Sequence, residues 1–494
     1  MQPRGPRYLV GVILVLLVAI GALQSVIDPV QLKMREAEKS KSEGGPGELM
    51  VELPGQFIVA SVAGFKEVIA GALWIRADTF FHRGNYGAIV PIVRLVTWLD
   101  PHNIDVYTTG AWHLDYNFVD EANSLSDKRY IPASIALLRE GIRNNPDIWD
   151  LHFELGWTHY NKKMMDYEKS LECLEKACAL PGLDPNTGRK IPRPDFVDHM
   201  LAHAYEKVGR FDDAIAQWKK CRARVEKLLK KKNREIFLDQ TSLAVVDRNL
   251  AMLYLRLGWR YGDMDAYGKG IEIAKRLVPV FEKWAVDGAA ADYARRLAEN
   301  DPPKDALRPL DMGFEVAWKK VAPKVILIKG KLNLVPSSEY KDLASEPFTD
   351  YYKKNVLDAD ADRKQQWRDG CRVYWRLQDY DYVTPDLDTF DWRIDTTKTV
   401  QGGGTYDGAY VSGGQFSHKI DMSDPRDAGM YPFKAKKYKL TIWFSPQHMT
   451  PIDVQDRIGW KGEAIRDENY LDTTTYPGFR TLRTEFIISR EELL

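Results

Sequence analysis

The sequence lacks most of the features that mark small secreted domains and metal-binding modules. Only four cysteines occur in 494 residues, and no Cys-x-x-Cys pair is present, which argues against a disulfide-built scaffold, a zinc ribbon and a thioredoxin-type site. We expect all four to be small packing residues, with a bridge between Cys178 and Cys221 as the alternative. Neither charge sign is in excess, since Lys plus Arg and Asp plus Glu each number 70. The composition therefore indicates no nucleic-acid partner.

The motifs of common enzyme classes are also absent. The chain has no G-x-S-x-G, no P-loop, no dinucleotide fingerprint and no S-x-x-K, and its nine histidines are scattered. We therefore expect a protein that is not an enzyme and holds no cofactor. A hydrolase that uses isolated carboxylates stays open as an alternative.

One long apolar run stands near the start. Tyr8 to Ile27 is free of charged residues and as a helix reaches about 30 Å, the thickness of the bilayer core. Arg4 and Arg7 precede it, so residues 1–27 are predicted to be a membrane anchor with a cytoplasmic N-terminus. The body is then extracytoplasmic, in the periplasm or outside the cell. The alternative is a cleaved signal peptide with a site near Ile20-Gly21-Ala22.

The rest of the chain divides into three parts by composition and periodicity. Residues 28–55 are charged and then Gly-rich, which is typical of a linker or stalk. Residues 56–322 show the period of amphipathic helices, with 262–322 as a helical cap. Residues 323–494 alternate like short strands separated by turns. We thus predict a multidomain α+β protein with a transmembrane helix, an α-solenoid and an antiparallel β-sandwich-like domain.

The helical part repeats a unit of two helices. The second helix of the first three units is followed by Pro101, Pro146 or Pro181, which stops it. In the first helix a small residue lets the pair approach closely, and a larger one three positions later fills the space beside it. These pairs are Ala77/Phe80, Ala111/Leu114, Gly156/His159, Ala202/Tyr205 and Ala251/Tyr254. A unit of this kind cannot bury its apolar face alone, so such units stack.

The fourth unit resembles the tetratricopeptide repeat (TPR) family. It reads Leu201-Ala202-x-x-Tyr205, then Gly209-Arg210-Phe211, then Ala214, Trp218 and Cys221. The resemblance spans roughly residues 70–260, with His159 standing where the family prefers an aromatic residue. It implies a solenoid whose inner helices form a partner-binding groove.

The positions that line this groove in the family are carried over by the resemblance. They are Trp74, Asp78, Phe81, Thr108, Trp112, Asp115, Phe153, Trp157, Tyr160, His199, His203, Glu206, Arg248 and Met252. The alternative for each single ring is burial between neighbouring units. His199 and His203 are four residues apart, a spacing that can bind zinc, but no third ligand is evident and we expect a surface pair.

Two further features belong to the C-terminal part. Asp358, Asp360, Asp362 and Asp369 imitate a calcium loop, although Arg363 occupies the position that needs glycine and the segment can equally be a helix. Asp386, Asp388, Asp391 and Asp395 are a second weak candidate, so we predict no metal site.

Taken as a whole, the sequence predicts a membrane-anchored extracytoplasmic scaffold that binds protein partners in a membrane or envelope complex. The alternative is a module that binds envelope glycan through the β domain.

Overall fold

The structure is a computed structural model. It describes residues 65–83, 88–117, 130–183, 189–230, 240–284, 309–333, 371–382, 405–412, 414–423, 434–448, 454–455 and 458–494. Several predicted features lie outside these residues: the anchor, the linker and both aspartate clusters. Among the described helices none is long and apolar enough to span a bilayer.

The described residues contain five consecutive helix pairs. The first helices are α1 (Lys66–His82), α3 (Ile104–Trp112), α5 (Trp149–Phe153), α7 (Asp195–Lys207) and α9 (Gln240–Tyr261). Their partners are α2 (Ile89–Leu99), α4 (Tyr130–Asn144), α6 (Tyr167–Ala179), α8 (Phe211–Leu229) and α10 (Met264–Trp284). Two first helices continue as π-helix, α3 over His113–Asn117 and α5 over Glu154–Met164.

The predicted spacing of small residues explains how the helices pack. Ala77, Ala111, Ala202 and Ala251 are buried, each 3 % exposed or less. The small residue of the third unit is Gly156, where an added Cβ would lie 2.9 Å from the Cβ of Cys173 on the partner helix. The helix pairs therefore touch where the repeat places its small residues, and this prediction is confirmed.

Local capping fixes where some helices begin. The side chain of Asn103 accepts a hydrogen bond from the backbone N–H of Val106 at 3.4 Å, at the start of α3. Asp166 does the same for Lys169 at 3.1 Å, at the start of α6. Each cap satisfies a backbone donor that the helix itself cannot pair.

The C-terminal part is an eight-stranded antiparallel sheet in the order β2-β3-β6-β5-β4-β7-β10-β9. A short parallel pair, β1 with β8, stands beside it. The strands are β1 (Leu310–Asp311), β2 (Glu315–Ala322), β3 (Val325–Lys331), β4 (Arg372–Asp379), β5 (Thr405–Ser412), β6 (Gln415–Asp421), β7 (Lys437–Phe444), β8 (Ile465–Arg466), β9 (Leu471–Asp472) and β10 (Thr481–Ser489), before a final turn of helix, α11 (Arg490–Leu493).

The sheet curls around one core. Ile328 of β3 and Ile442 of β7 belong to the same buried cluster although their strands are far apart in the sheet order. The antiparallel strands are as predicted, but the sandwich is not: within the described residues one sheet bends over itself instead of two sheets packing face to face.

The prediction of a helical cap over residues 262–322 needs correction. Helix α10 is the second member of the fifth pair, and β2 with Trp318 is a strand, not part of a helical cap. Pro323 and the left-handed Lys324 (φ 59°) close the hairpin that pairs β2 with β3. The alternative of a bridge between Cys178 and Cys221 is contradicted, because both are free.

Candidate functional site

Aromatic side chains lie along the first helices of units one to three. We call Phe81, Trp112, Tyr116 and Trp157 the aromatic row. Phe81 lies 4.6 Å from the ring of His113, and Trp112 stacks on Tyr116 with centroids 5.9 Å apart. The Tyr116 hydroxyl donates to the carbonyl of Thr158 at 3.3 Å, which joins the second unit to the third.

The row is partly open to solvent and is flanked by lysines. Trp112 is 43 % exposed, and Phe81, Tyr116 and Trp157 are half-buried. The ammonium of Lys162 lies 5.4 Å above the Trp157 ring, and that of Lys163 lies 3.5 Å above Tyr116. A cation over a ring face is attracted by the ring's negative quadrupole, so the lysines hold these rings in place.

Beneath the row a buried histidine–aspartate contact joins two neighbouring first helices. The Nδ1 atom of His159 lies 2.5 Å from Oδ2 of Asp115, and both side chains are 1 % exposed or less. Ser134 approaches the same Nδ1 at 3.2 Å. A nucleophilic triad needs serine and aspartate on opposite ring nitrogens and an open serine, so this arrangement is structural.

The pair corrects one groove residue and explains a departure from the repeat pattern. The sequence predicts that Asp115 faces the groove, but it points into the interior to meet His159. Both residues lie in the π-helical stretches, where i→i+5 bonding displaces side chains from their α-helical positions. The positions carried over from the family assume regular α-helix and therefore misplace Asp115.

The other predicted groove residues divide by exposure. Trp74, Thr108, His199, His203 and Arg248 are half-buried, and Asp78 is exposed beside His82 at 3.4 Å. Phe153, Tyr160, Glu206 and Met252 are 8 % exposed or less. The two rings among them are thus buried, which is the alternative stated for each ring. The structure thus brings the aromatic row together in units one to three and leaves fewer accessible groove positions in units four and five.

In the fourth unit the predicted residues form a polar cluster on Trp218. His199 and His203 pack against this ring at 5.4 and 4.9 Å, and Trp218 donates to Glu206 at 2.7 Å. Burial alone would raise the pKa of Glu206, but hydrogen bonds from His203 and Trp218 outweigh it and hold that pKa below its usual value. No third metal ligand joins the histidines among the described residues.

The sequence did not reveal a buried contact between the helices and the sheet. Residues from Ala60 onward form one compact unit. Lys207, at the end of α7, donates to the carbonyl of Gln447 at 2.5 Å, and the Gln447 side chain donates back to the Lys207 carbonyl at 3.1 Å. Gln447 follows β7 in the chain, and no local sequence pattern marks it as a contact residue.

His448 completes this junction. It is 1 % exposed and accepts a hydrogen bond on Nδ1 from Trp443 at 3.1 Å. Tyr167 of α6 and Tyr374 of β4 stand 5.8 and 5.5 Å from its ring. Burial and the neighbouring Lys207 lower the pKa of His448 to about 3, and burial lowers the pKa of Lys207 to about 8.

A cleft of about 390 Å³ opens beside the junction. Its walls come from the turn between α7 and α8 and from the loop at Lys461. Tyr261 donates to Glu463 at 2.6 Å, and Arg210 pairs with Asp213 at 2.7 Å. These charges are already paired with each other, so the cleft offers a ligand less than the aromatic row does.

Comparison with known proteins finds likeness only among solved structures. No family model matches the chain, and neither does any curated protein. The MamA protein is 14 % identical and matches 45 % of this chain and 98 % of its own, with a TM-score of 0.29. PilW, described as a type IV pilus biogenesis factor, is 16 % identical over 47 % of this chain and 85 % of its own, TM-score 0.29. A thermophilic TPR protein of Thermus thermophilus is 20 % identical over 39 % and 91 %, TM-score 0.25.

Proposed function

We propose that this protein is a scaffold that binds a partner protein on the aromatic row, and that residues 8–27 tether it to a membrane with the body outside the cytoplasm. The observation that carries the binding proposal is the set of neighbouring rings on successive first helices, with Trp112 43 % exposed. Large, ordered rings offer contact area at little conformational cost, which is why they anchor many interfaces.

The flanking lysines suggest what the partner presents. Lys162 is exposed, and its ammonium already lies over one face of Trp157. A partner segment with apolar side chains for the rings and a carboxylate for Lys162 would match this surface in shape and charge. The tether is supported by the uncharged run at Tyr8 to Ile27 and by the arginines before it.

Replacement of two rings tests the binding proposal. Trp112→Ala with Trp157→Ala should weaken the capture of companion proteins from detergent extracts of washed native membranes, identified by mass spectrometry. Loss of one aromatic anchor costs on the order of 2 kcal/mol, about thirtyfold in affinity. The same membranes test the tether, because the chain should resist alkaline washing and be digested by protease added to intact spheroplasts.

The control is Trp98→Ala, which removes an exposed tryptophan (51 %) on α2, away from the row. It should leave both capture and melting temperature unchanged. A large fall in melting temperature in the double variant would mean that the rings serve the core. Unchanged capture with unchanged stability would reject the binding surface.

A further inference from the structure

The first helix of the solenoid carries an apolar stripe that faces solvent. Phe65, directly before α1, is 58 % exposed, Val68 is 69 % exposed and Ile75 is 71 % exposed. Ala72 is exposed between them, and half-buried Thr79 continues the line. Spacings of three and four residues alternate from 65 to 79, which is the a/d pattern of a two-stranded coiled coil.

The central position of this stripe, that of Ala72, is buried in every later unit. Ala72 stands five positions before the small residue of its repeat, and the residues at that position in units two to five are each 0 % exposed: Val106, Leu151, Val197 and Val246. Val197 shares a core with Leu174 of the preceding second helix, and Val246 shares one with Trp218. The centre of the stripe on α1 therefore corresponds to the position through which the later units stack, and among the described residues no helix precedes α1.

The other end of the solenoid is built differently. The outward residues of α10 are polar, with Lys269, Glu272, Lys275 and Arg276 all exposed. A terminal unit needs a polar outer face to stay soluble by itself. Helix α10 meets that need with its described residues, whereas the exposed face of α1 is apolar and suits an apolar partner surface.

We propose that a second copy of this chain covers it, with the two α1 helices side by side and parallel. In that arrangement each a and d residue meets its own copy. Asp78 falls at position g and Arg83 at the following e, the two positions that pair across a parallel coiled coil, and both are exposed. In an antiparallel pair, e positions face e positions instead. The basic residues Arg76 and Arg83 would then face each other across the seam and repel.

The backbone of α1 also permits a close neighbour. Gly71 lies at the g position beside the stripe, and an added Cβ there would meet nothing within 4 Å. The seam covers only about two heptads, fewer than an isolated coiled coil needs. Here α1 is already ordered by its packing on α2, so little conformational entropy is left to lose on association.

The parallel direction rests on the proposed membrane tether. Two chains anchored in one membrane through residues that precede α1 would enter this helix in the same sense. Confinement to one surface also raises the effective concentration of the copies, so a short seam suffices there. We therefore expect the dimer to be stable in a bilayer and to dissociate more readily in dilute detergent.

Single cysteines test the geometry. The full chain with Val68→Cys or with Ile75→Cys, reconstituted in phospholipid vesicles and mildly oxidised, should run as a disulfide-linked dimer on a non-reducing gel. A disulfide needs Cα atoms within about 4.4–6.8 Å, which a parallel pair provides at identical d positions. Glu67→Cys is the matched control: its side chain is 59 % exposed but lies off the stripe, and it should not link. The parent chain reports any background from the native cysteines.

Each other outcome overturns the proposal. Linkage only when the Val68→Cys and Ile75→Cys chains are mixed would show an antiparallel pair, and absence of any linkage would assign the stripe to another occupant. Ile75→Glu should raise the dimer dissociation constant at least about tenfold, while Ile487→Glu, at a strand isoleucine 58 % exposed, should not change it. Failure of the tether is seen separately, as loss of the parent chain from washed vesicles.

Discussion

At the scale of single residues, the pair of Asp115 and His159 shows how a polar contact can hold two repeats together. An imidazole and a carboxyl group lie 2.5 Å apart with almost no exposure. Their attraction repays the loss of hydration only while both are present. His159 stands where the fourth unit has Tyr205, so a histidine that meets Asp115 takes the place of an aromatic residue.

Replacement of one partner should therefore lower the free energy of unfolding more than replacement of both. We expect His159→Phe to lower the free energy of unfolding by about 3–5 kcal/mol, because a buried carboxylate loses its partner. The double variant Asp115→Leu with His159→Phe should recover much of that loss. Chemical unfolding followed by circular dichroism measures the coupling, and a double variant as unstable as the sum of the single variants would contradict the pairing.

At the scale of elements, the repeat depends on small residues at the helix contacts. Gly141 of α4 faces the ring of Tyr107 on α3, and an added Cβ would lie 2.7 Å from that ring. Tyr107 is 0 % exposed and has no space to move into. Glycine therefore stands at this helix position because of its size, despite its low helix propensity.

A pair of glycine substitutions separates size from propensity. Gly141→Ala should destabilise the protein by about 1–3 kcal/mol through overpacking. Gly268→Ala on α10, where the added Cβ would meet nothing within 4 Å, should stabilise it by about 0.5–1 kcal/mol. Melting curves of both variants decide the matter, and stabilisation by both would mean that α3 and α4 do not approach as described.

At the scale of the whole molecule, the sheet and the helices are joined. A cut at Pro323, where the sequence predicts a domain boundary, would separate β2 from β3 and break a hairpin. In addition, the reciprocal hydrogen bonds between Lys207 and Gln447 connect the fourth helix pair to the sheet. We therefore expect a fragment that ends at residue 322 to be less stable than the same helices in the full chain.

The junction also predicts a pH dependence. The pKa of Lys207 falls from 10.5 to about 8 on burial, so the folded state binds this proton less well than the unfolded state does. Stability should then rise as pH increases from about 8 to 10.5. Lys207→Met removes the titrating group, so the variant should lack this rise in stability. The difference in unfolding free energy between the parent protein and the variant should therefore change between about pH 8 and pH 10.5. A constant difference would show that Lys207 is not buried as a cation.

Much of the architecture follows from the sequence alone, because local patterns encode it. The period of apolar residues, the small residue of each repeat and the prolines after second helices predict the helix pairs. Alternation predicts short strands between residues 323 and 494, where β3, β4 and β7 lie, since a strand with one buried face must alternate. In the site, the rings of Trp112 and Trp157 are predicted to be accessible, and they are partly exposed.

What remains was decided only by tertiary structure, because it depends on contacts between residues far apart in the chain. Trp318 lies in a strand since β3 is there to pair with it, and no local signal distinguishes that segment from helix. Asp115 turns inward because His159, 44 residues later, lies in the π-helical stretch of the next unit. The bond between Lys207 and Gln447 spans 240 residues, so no sequence window contains both partners, and only the folded chain brings them together.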